Sequence, residues 1–312
     1  MLVSISCICR CHQVSALTLS SIFEICAGRS VPCDLMAIET PKPGHGDERI
    51  VTYGMLGVVT GMIADVDVEG ERLRCLGGDF RNAIYGVLRI ATLRKYKYTL
   101  SYLPDGHQDT VTAVAGASAS EIGEEPLKND SRSDNSHAEI THRHTNNSLK
   151  NHLLDSFSNP LTNDWKTVHG DFIQVTATNL SHIGQGLLYT AGVEFGDGLI
   201  RFVHIRSSAT RRNMMKYWGC MEEGVGVHDE TESGNVSVLL CKAFRISPEP
   251  KRYGNITLDG ERLPYGPIQG QIHPELARIF CSPRSWNAIL LNLLLTLSFW
   301  TLSNYVANVL YF

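Results

Sequence analysis

Two acids and two guanidinium groups in one short stretch set the chemistry open to this chain. Asp65 and Asp67 stand two apart in Gly61-Met-Ile-Ala-Asp-Val-Asp-Val-Glu69, and Arg74 and Arg81 follow closely. Paired carboxylates suit a cation or a hydroxyl group, and a planar guanidinium fork suits a phosphate. Such a set handles a cation or hydroxyl beside a phosphate. Alternation of Met62, Ala64, Val66 and Val68 with Ile63, Asp65, Asp67 and Glu69 predicts a strand. On a strand, Asp65 and Asp67 point the same way, roughly 6–7 Å apart. Gly77-Gly78 then break the chain, and Asp79 is expected to cap a helix. Phe80, Ile84, Val87, Leu88 and Ala91 recur at helical spacing, which predicts one buried stripe. Arg81 then falls in the first turn, where free N–H groups favour an anion.

The 312 residues are 43% hydrophobic with a net charge of −4, enough for a sizeable core and no bulk argument for nucleic acid. Nine scattered cysteines favour a reducing compartment over a disulfide framework. Cys7, Cys9, Cys11 and His12 lack the spacing of a zinc site. A helix is expected to end at Gly28, with strands over 34–38 and 50–57 and another over Tyr98–Leu103. Residues 105–163 are polar, poor in large apolar side chains, and read as a disordered insertion. Strand patterns return at 171–178, 199–205 and 236–246. Met214, Met215, Trp218 and Met221 share a face of one helix, and a stripe of that kind is usually core. Asp259-Gly260 marks a hairpin. Residues 286–312 carry no charge and are long enough for a membrane-spanning or membrane-associated helix.

Two of these stretches, Gly61–Arg81 and Leu258–Pro274, resemble the signature segments of sphingosine kinases, which belong to the diacylglycerol-kinase-like lipid kinases. Thr92–Pro104 and the strands over 171–208 are similar as well. The likeness covers residues 16–104 and 164–281 and leaves residues 1–15 and the tail unmatched. It implies a mainly β fold, an antiparallel β-sandwich lobe with a few helices; the uncharged run over 286–312 adds the expectation of a C-terminal apolar helix. That lobe is the family's lipid-binding half. The nucleotide-binding half, with its catalytic Gly-Asp-Gly, finds no counterpart in these residues, and Gly196-Asp197-Gly198 reads as a hairpin turn. No catalytic residue is therefore assigned. The resemblance implies that Asp67 holds the sphingosine head group and that Met62, Ile63, Val66, Trp218 and Met221, with Met215, line an alkyl-chain pocket. It further implies that Arg74, Arg81, Asp259, Gly260 and Glu261 face ATP, with Mg2+ in the complete enzyme. The expected activity is ATP-dependent phosphorylation of sphingosine, with this chain inactive alone. The alternatives are a non-catalytic membrane-anchored lipid-binding protein, or a kinase of ceramide or diacylglycerol. The expected setting is cytoplasmic and membrane-associated, with a long-chain base as partner and no nucleic acid.

Overall fold

Long runs of β-branched and aromatic residues become strands. They are Ser30–Pro41 (β1), Arg49–Gly54 (β2), Gly57–Gly61 (β3), Tyr96–Pro104 (β4), Lys166–Thr178 (β5) and His182–Gly184 (β6). The series continues with Leu187–Leu188 (β7), Ile200–Arg206 (β8), Val236–Pro248 (β9), Ile256–Leu258 (β10), Glu261–Leu263 (β11) and Ile268–Phe280 (β12). Helices also form at Met62–Gly70 (α1), Gly78–Thr92 (α2) and Arg211–Glu222 (α3), with a 3-10 turn over Glu71–Leu76. The computed structural model describes residues 21–105 apart from 23, 27, 29 and 77; 153–227 apart from 185 and 186; 234–249; and 253–280. The side chains of residues 74–83 lie outside the described set. Among the described residues, those from Cys33 to Ala277 form one compact unit, and 21–32 with 278–280 fall in a second. In the second, Gly28 takes φ +66 and its N–H bonds the Ile25 carbonyl at 3.1 Å, as a helix C-cap does.

The main unit is built on a ten-stranded antiparallel sheet. Four strands close a ring, because β4 pairs β5, β5 pairs β8, β8 pairs β9 and β9 pairs β4. From β5 the sheet runs on through β3 to β10 and β11, and from β9 through β12 to β1 and β2. The two thirteen-residue strands make this possible by changing partners along their length. Residues 166–172 of β5 lie against β4, and 172–178 lie against β8. Inward-facing Leu100, Phe172, Val175, Phe202, Phe244, Ile246, Ile256 and Ile268 form the first core. Burying side chains of this size contributes roughly 1.5–3 kcal/mol each.

Two expectations need correction. The stretch after Gly61 is helical where alternation predicts a strand. Met62-Ile-Ala-Asp-Val-Asp-Val fits a period of two and, through Met62 and Val66, a helical spacing equally well. The backbone at Gly61 decides, with φ +92 and ψ −139, a conformation open to glycine alone. In α2 the expected buried stripe is turned to solvent. Ile84, Val87 and Leu88 are 38%, 63% and 45% exposed, and Ala91 is exposed too. Gly86, Arg89 and Ile90 are buried instead, because the surface beneath α2 is a carboxylate pair that needs an arginine.

The segment returning from the insertion is part of the fold. The Leu153 N–H donates to Gln271 Oε1 at 2.8 Å, and the Arg245 guanidinium bonds the carbonyls of Asp155, Ser156 and Asn159. Residues 106–152, and with them His137, His142, His144 and His152, lie outside the described residues, as do residues 1–15 and 286–312.

Candidate functional site

Helix α1 leaves strand β3 at Gly61 and has no side-chain N-cap of the usual kind. Its first free donor is met from the sheet, where buried Gln174 accepts the Ile63 N–H through Oε1 at 2.8 Å. A β-bulge between Phe172 and Gln174 makes this reach possible. Phe172 and Val175 face the first core, while Ile173 and Gln174 both face the outside of the sheet. Gln174 Nε2 then donates to Thr176 Oγ1 at 2.9 Å, and the Tyr189 hydroxyl donates to the same oxygen at 3.0 Å.

A helical turn of about 100° per residue arranges α1 into sectors. Met62, Val66, Gly70 and Ile63 share one sector. Asp67 lies beside Ile63 at its edge and is half-buried. Asp65 and Glu69 lie on the opposite flank. Asp65 and Asp67 thus point about 200° apart, and the expected same-face acid pair is corrected to two acids with different surroundings.

Asp65 is the buried member, 1% exposed. Its Oδ2 accepts the Tyr96 hydroxyl and Arg94 Nη1, the latter at 3.1 Å, and its Oδ1 accepts Asn255 Nδ2 at 2.9 Å. Arg89 Nε stands 3.7 Å away. Glu69 pairs with Arg89 Nη2, and with Arg94 Nη1 at 2.7 Å. Burial first, and then the neighbouring Asp65 carboxylate, push the Tyr96 phenol far above its ordinary range, so it stays a donor. Two acids and two guanidinium groups balance in this cluster.

The apolar sector of α1 joins a second core on the outside of the sheet. Met62, Ile90, Ile173, Tyr189, Val203, Met214, Tyr217, Met221 and Val227 form it, with Ile63, Leu93 and Trp218 packed against them. Of the chain-contacting residues expected from sequence, Met62, Ile63, Trp218 and Met221 are therefore together. Val66 is buried on the same helix. Met215 is not among them, being 54% exposed. Met214, one residue earlier, takes the inward place, because the α3 capping box at Thr210 and Asn213 fixes the helix's rotation. Trp218 lies over Gly86 of α2, where a Cβ would stand 3.6 Å from the ring. Arg211 Nε bonds the Ala91 carbonyl at 2.8 Å and ties α3 to the end of α2.

The residues expected to face a nucleotide are placed as follows. Asp259 and Gly260 turn the β10–β11 hairpin with φ of +52 and +86. The Asp259 carboxylate accepts the backbone N–H groups of Met55, Leu56 and Gly57 at 2.7, 2.8 and 2.9 Å. Both of its oxygens are thus engaged by the chain itself. Gly260 and Glu261 are exposed. Leu258 pairs with Val58 and Ile256 with Thr60, so the hairpin sits at the Gly57 end of β3 and α1 starts from the Gly61 end. Those ends are about 13 Å apart along the strand. The side chains of Arg74 and Arg81 lie outside the described set. The described residues alone do not assemble a Mg-ATP site, and among them no group of three or more metal-ligating side chains occurs. Gly196-Asp197-Gly198 is a turn before β8, its Gly198 N–H held by Asp34 Oδ2 at 2.7 Å.

Arg89, Arg94, Tyr96, Asn255 and Gln174 were not singled out in sequence. Asp65 and Glu69 are four apart, and a helical reading of 62–70 would have put both on one flank in search of arginines. Gln174 carries no such signal.

No family model matches the chain. The sequence is similar to human sphingosine kinase 2, 34% identical over 132 residues, which is 42% of this chain and 20% of the relative. It is similar to mouse sphingosine kinase 1, 25% identical over 86% of this chain and 61% of the relative. Human sphingosine kinase 1 is 26% identical over 80% of this chain and 56% of the relative. The chain thus spans about half the length of the sphingosine kinase 1 relatives it matches. A solved diacylglycerol kinase from Bacillus anthracis overlays 83% of this chain and 57% of its own, at 8% identity and a TM-score of 0.41, too loose a likeness to weigh.

Proposed function

We propose that this chain, similar in sequence to sphingosine kinases, provides the lipid-holding part of a lipid kinase acting on a long-chain base. The observation that carries this reading is the position of Asp67. It stands half-buried at the edge of the apolar sector of α1, and that sector packs into the second core. An amino-alcohol with a long alkyl chain has the matching polarity, with an ammonium for the carboxylate and methylenes for Met62, Ile63, Trp218 and Met221. Diacylglycerol has no ammonium to pair with Asp67, which favours a long-chain base over it. In this reading the bound lipid's primary hydroxyl is the phosphoryl acceptor and Mg-ATP the donor. The chain's own residues orient the lipid and shield it from water.

The exposed stripe of α2 fits a lipid surface. Ile84, Val87 and Leu88 face outward, and Lys95, Arg211 and Arg212 are exposed where α2 ends and α3 begins. Apolar side chains beside basic ones suit an anionic membrane. Among the described residues no helix is long and apolar enough to cross a membrane.

One vesicle assay tests both parts. With sphingosine-doped and plain phosphatidylcholine vesicles, Asp67→Asn removes the preference for sphingosine. The triple change Ile84→Asn, Val87→Asn and Leu88→Asn weakens binding to both kinds alike. Equal binding of the unaltered chain to doped and plain vesicles refutes the long-chain-base reading.

A further inference from the structure

We propose that Asp65 is a positioning residue that fixes the rotation of α1 and thereby sets where Asp67 points. The inference rests on the long-chain-base reading of Asp67 and extends it to a residue that touches no ligand. A nine-residue helix without a side-chain cap does not hold itself in place, since isolated helices of this length are marginal in water. Its placement must come from fixed points on the rest of the fold.

Two such points are present. Gln174 holds the Ile63 N–H at the start of the helix, which anchors its end and leaves it free to roll. Asp65 stops the roll. Its carboxylate is bound from three separate elements: Arg94 and Tyr96 at the start of β4, Asn255 just before β10, and Arg89 on α2. A carboxylate this deeply buried is tolerated only when its partners are in place. The energy well for α1 is therefore narrow in the coordinate that swings Asp67. With about 200° between the two side chains, a roll that carried Asp65 out of its cage would sweep Asp67 away from the edge beside Ile63.

The cluster is also balanced in charge as it stands. Asp65 and Glu69 offset Arg89 and Arg94, so Asp65 has no surplus charge to offer a ligand. The two acids of the motif therefore divide the work, with Asp67 meeting the ligand and Asp65 holding the helix.

The test uses the full chain with Asp65→Asn, and Tyr96→Phe as a milder change that keeps the packed ring. Amide hydrogen exchange is read in the absence of lipid. Selectivity is read as the ratio of binding to sphingosine-doped over plain phosphatidylcholine vesicles. Both variants are expected to speed exchange across 62–70 and leave 211–222 unchanged. Asp65→Asn is expected to cut selectivity roughly tenfold, the worth of one charge-assisted hydrogen bond. Adding Asp67→Asn should cost little more, because the two changes disable one unit. Three results overturn the proposal: unchanged exchange over 62–70; a lower Tm with selectivity of the folded chain intact; or losses from the two changes that simply add. An unaltered chain with no selectivity overturns the long-chain-base reading instead, and exchange over 62–70 then decides the role of Asp65 in holding α1.

Discussion

Replacing Asp259 tests what this acid is for. Its carboxylate takes three backbone N–H groups, at 2.7, 2.8 and 2.9 Å, from the turn between β2 and β3. A hydrogen bond to a charged group contributes about 1.5–3 kcal/mol. Met55 and Leu56 are half-buried and recover part of this from water, whereas Gly57 is buried and does not. Removing the acid should therefore cost roughly 2–4 kcal/mol, a large share of the 5–15 kcal/mol typical of a domain. The backbone at 259 adds a second component, since its φ of +52 strains most side chains by roughly 1 kcal/mol. Asp259→Gly removes the acid and keeps the turn. Asp259→Ala removes both. Asp259→Asn keeps the turn and one accepting oxygen. Urea unfolding should rank the losses Asn, then Gly, then Ala, with an unchanged m-value. A loss below about 0.5 kcal/mol for Asp259→Gly would refute the reasoning and return the carboxylate to the nucleotide-facing role that family likeness implies.

Other perturbations follow from single residues. His204 is buried against Phe172, 5.2 Å between ring centres, and burial followed by Arg206 lowers its pKa from 6.5 to about 4. The unfolded chain takes up the proton first, so stability is fully present above pH 6.5 and is lost as pH falls from 6.5 towards 4. The loss is roughly 3 kcal/mol over that window, and the difference in unfolding free energy between the unaltered chain and His204→Phe, measured by urea unfolding at several pH values, should change by about that amount between pH 6.5 and 4. At Gly61 a Cβ would run into the Ile173 carbonyl oxygen. Gly61→Ala should cost roughly 2–4 kcal/mol in thermal or urea unfolding and speed amide exchange at the start of α1.

The strands and the β10–β11 hairpin were legible because their signals are local. Asp259-Gly260 carries its own turn geometry, and the runs in β5, β8 and β9 need no knowledge of their partners. The α3 helix was legible for the same reason, although which methionine faces inward depended on its cap. What the sequence hid was set by distant residues. The helical state of 62–70 depends on a glycine conformation and on Gln174, more than a hundred residues away. The outward stripe of α2 reads as a core face until Arg89 is seen filling the inner one. For the candidate site, the shared apolar cluster of Met62, Ile63, Trp218 and Met221 was legible, while the same-face acid pair was not, because it assumed a strand where the chain is helical. Asp259 was noticed for its turn, and its carboxylate's three backbone partners were invisible without the fold.

The bulge in β5 leaves this strand no tolerance for changes in length. Ile173 and Gln174 face outward together only because one residue is extra there, and every side chain on either side takes its direction from that offset. Deleting a single residue between 166 and 172 would turn phenylalanine and valine to the outside of the sheet and push a glutamine into the hydrocarbon interior. In descendants of this gene, insertions and deletions should therefore be purged from β5 even at its exposed 166–171 end, where single substitutions are tolerated.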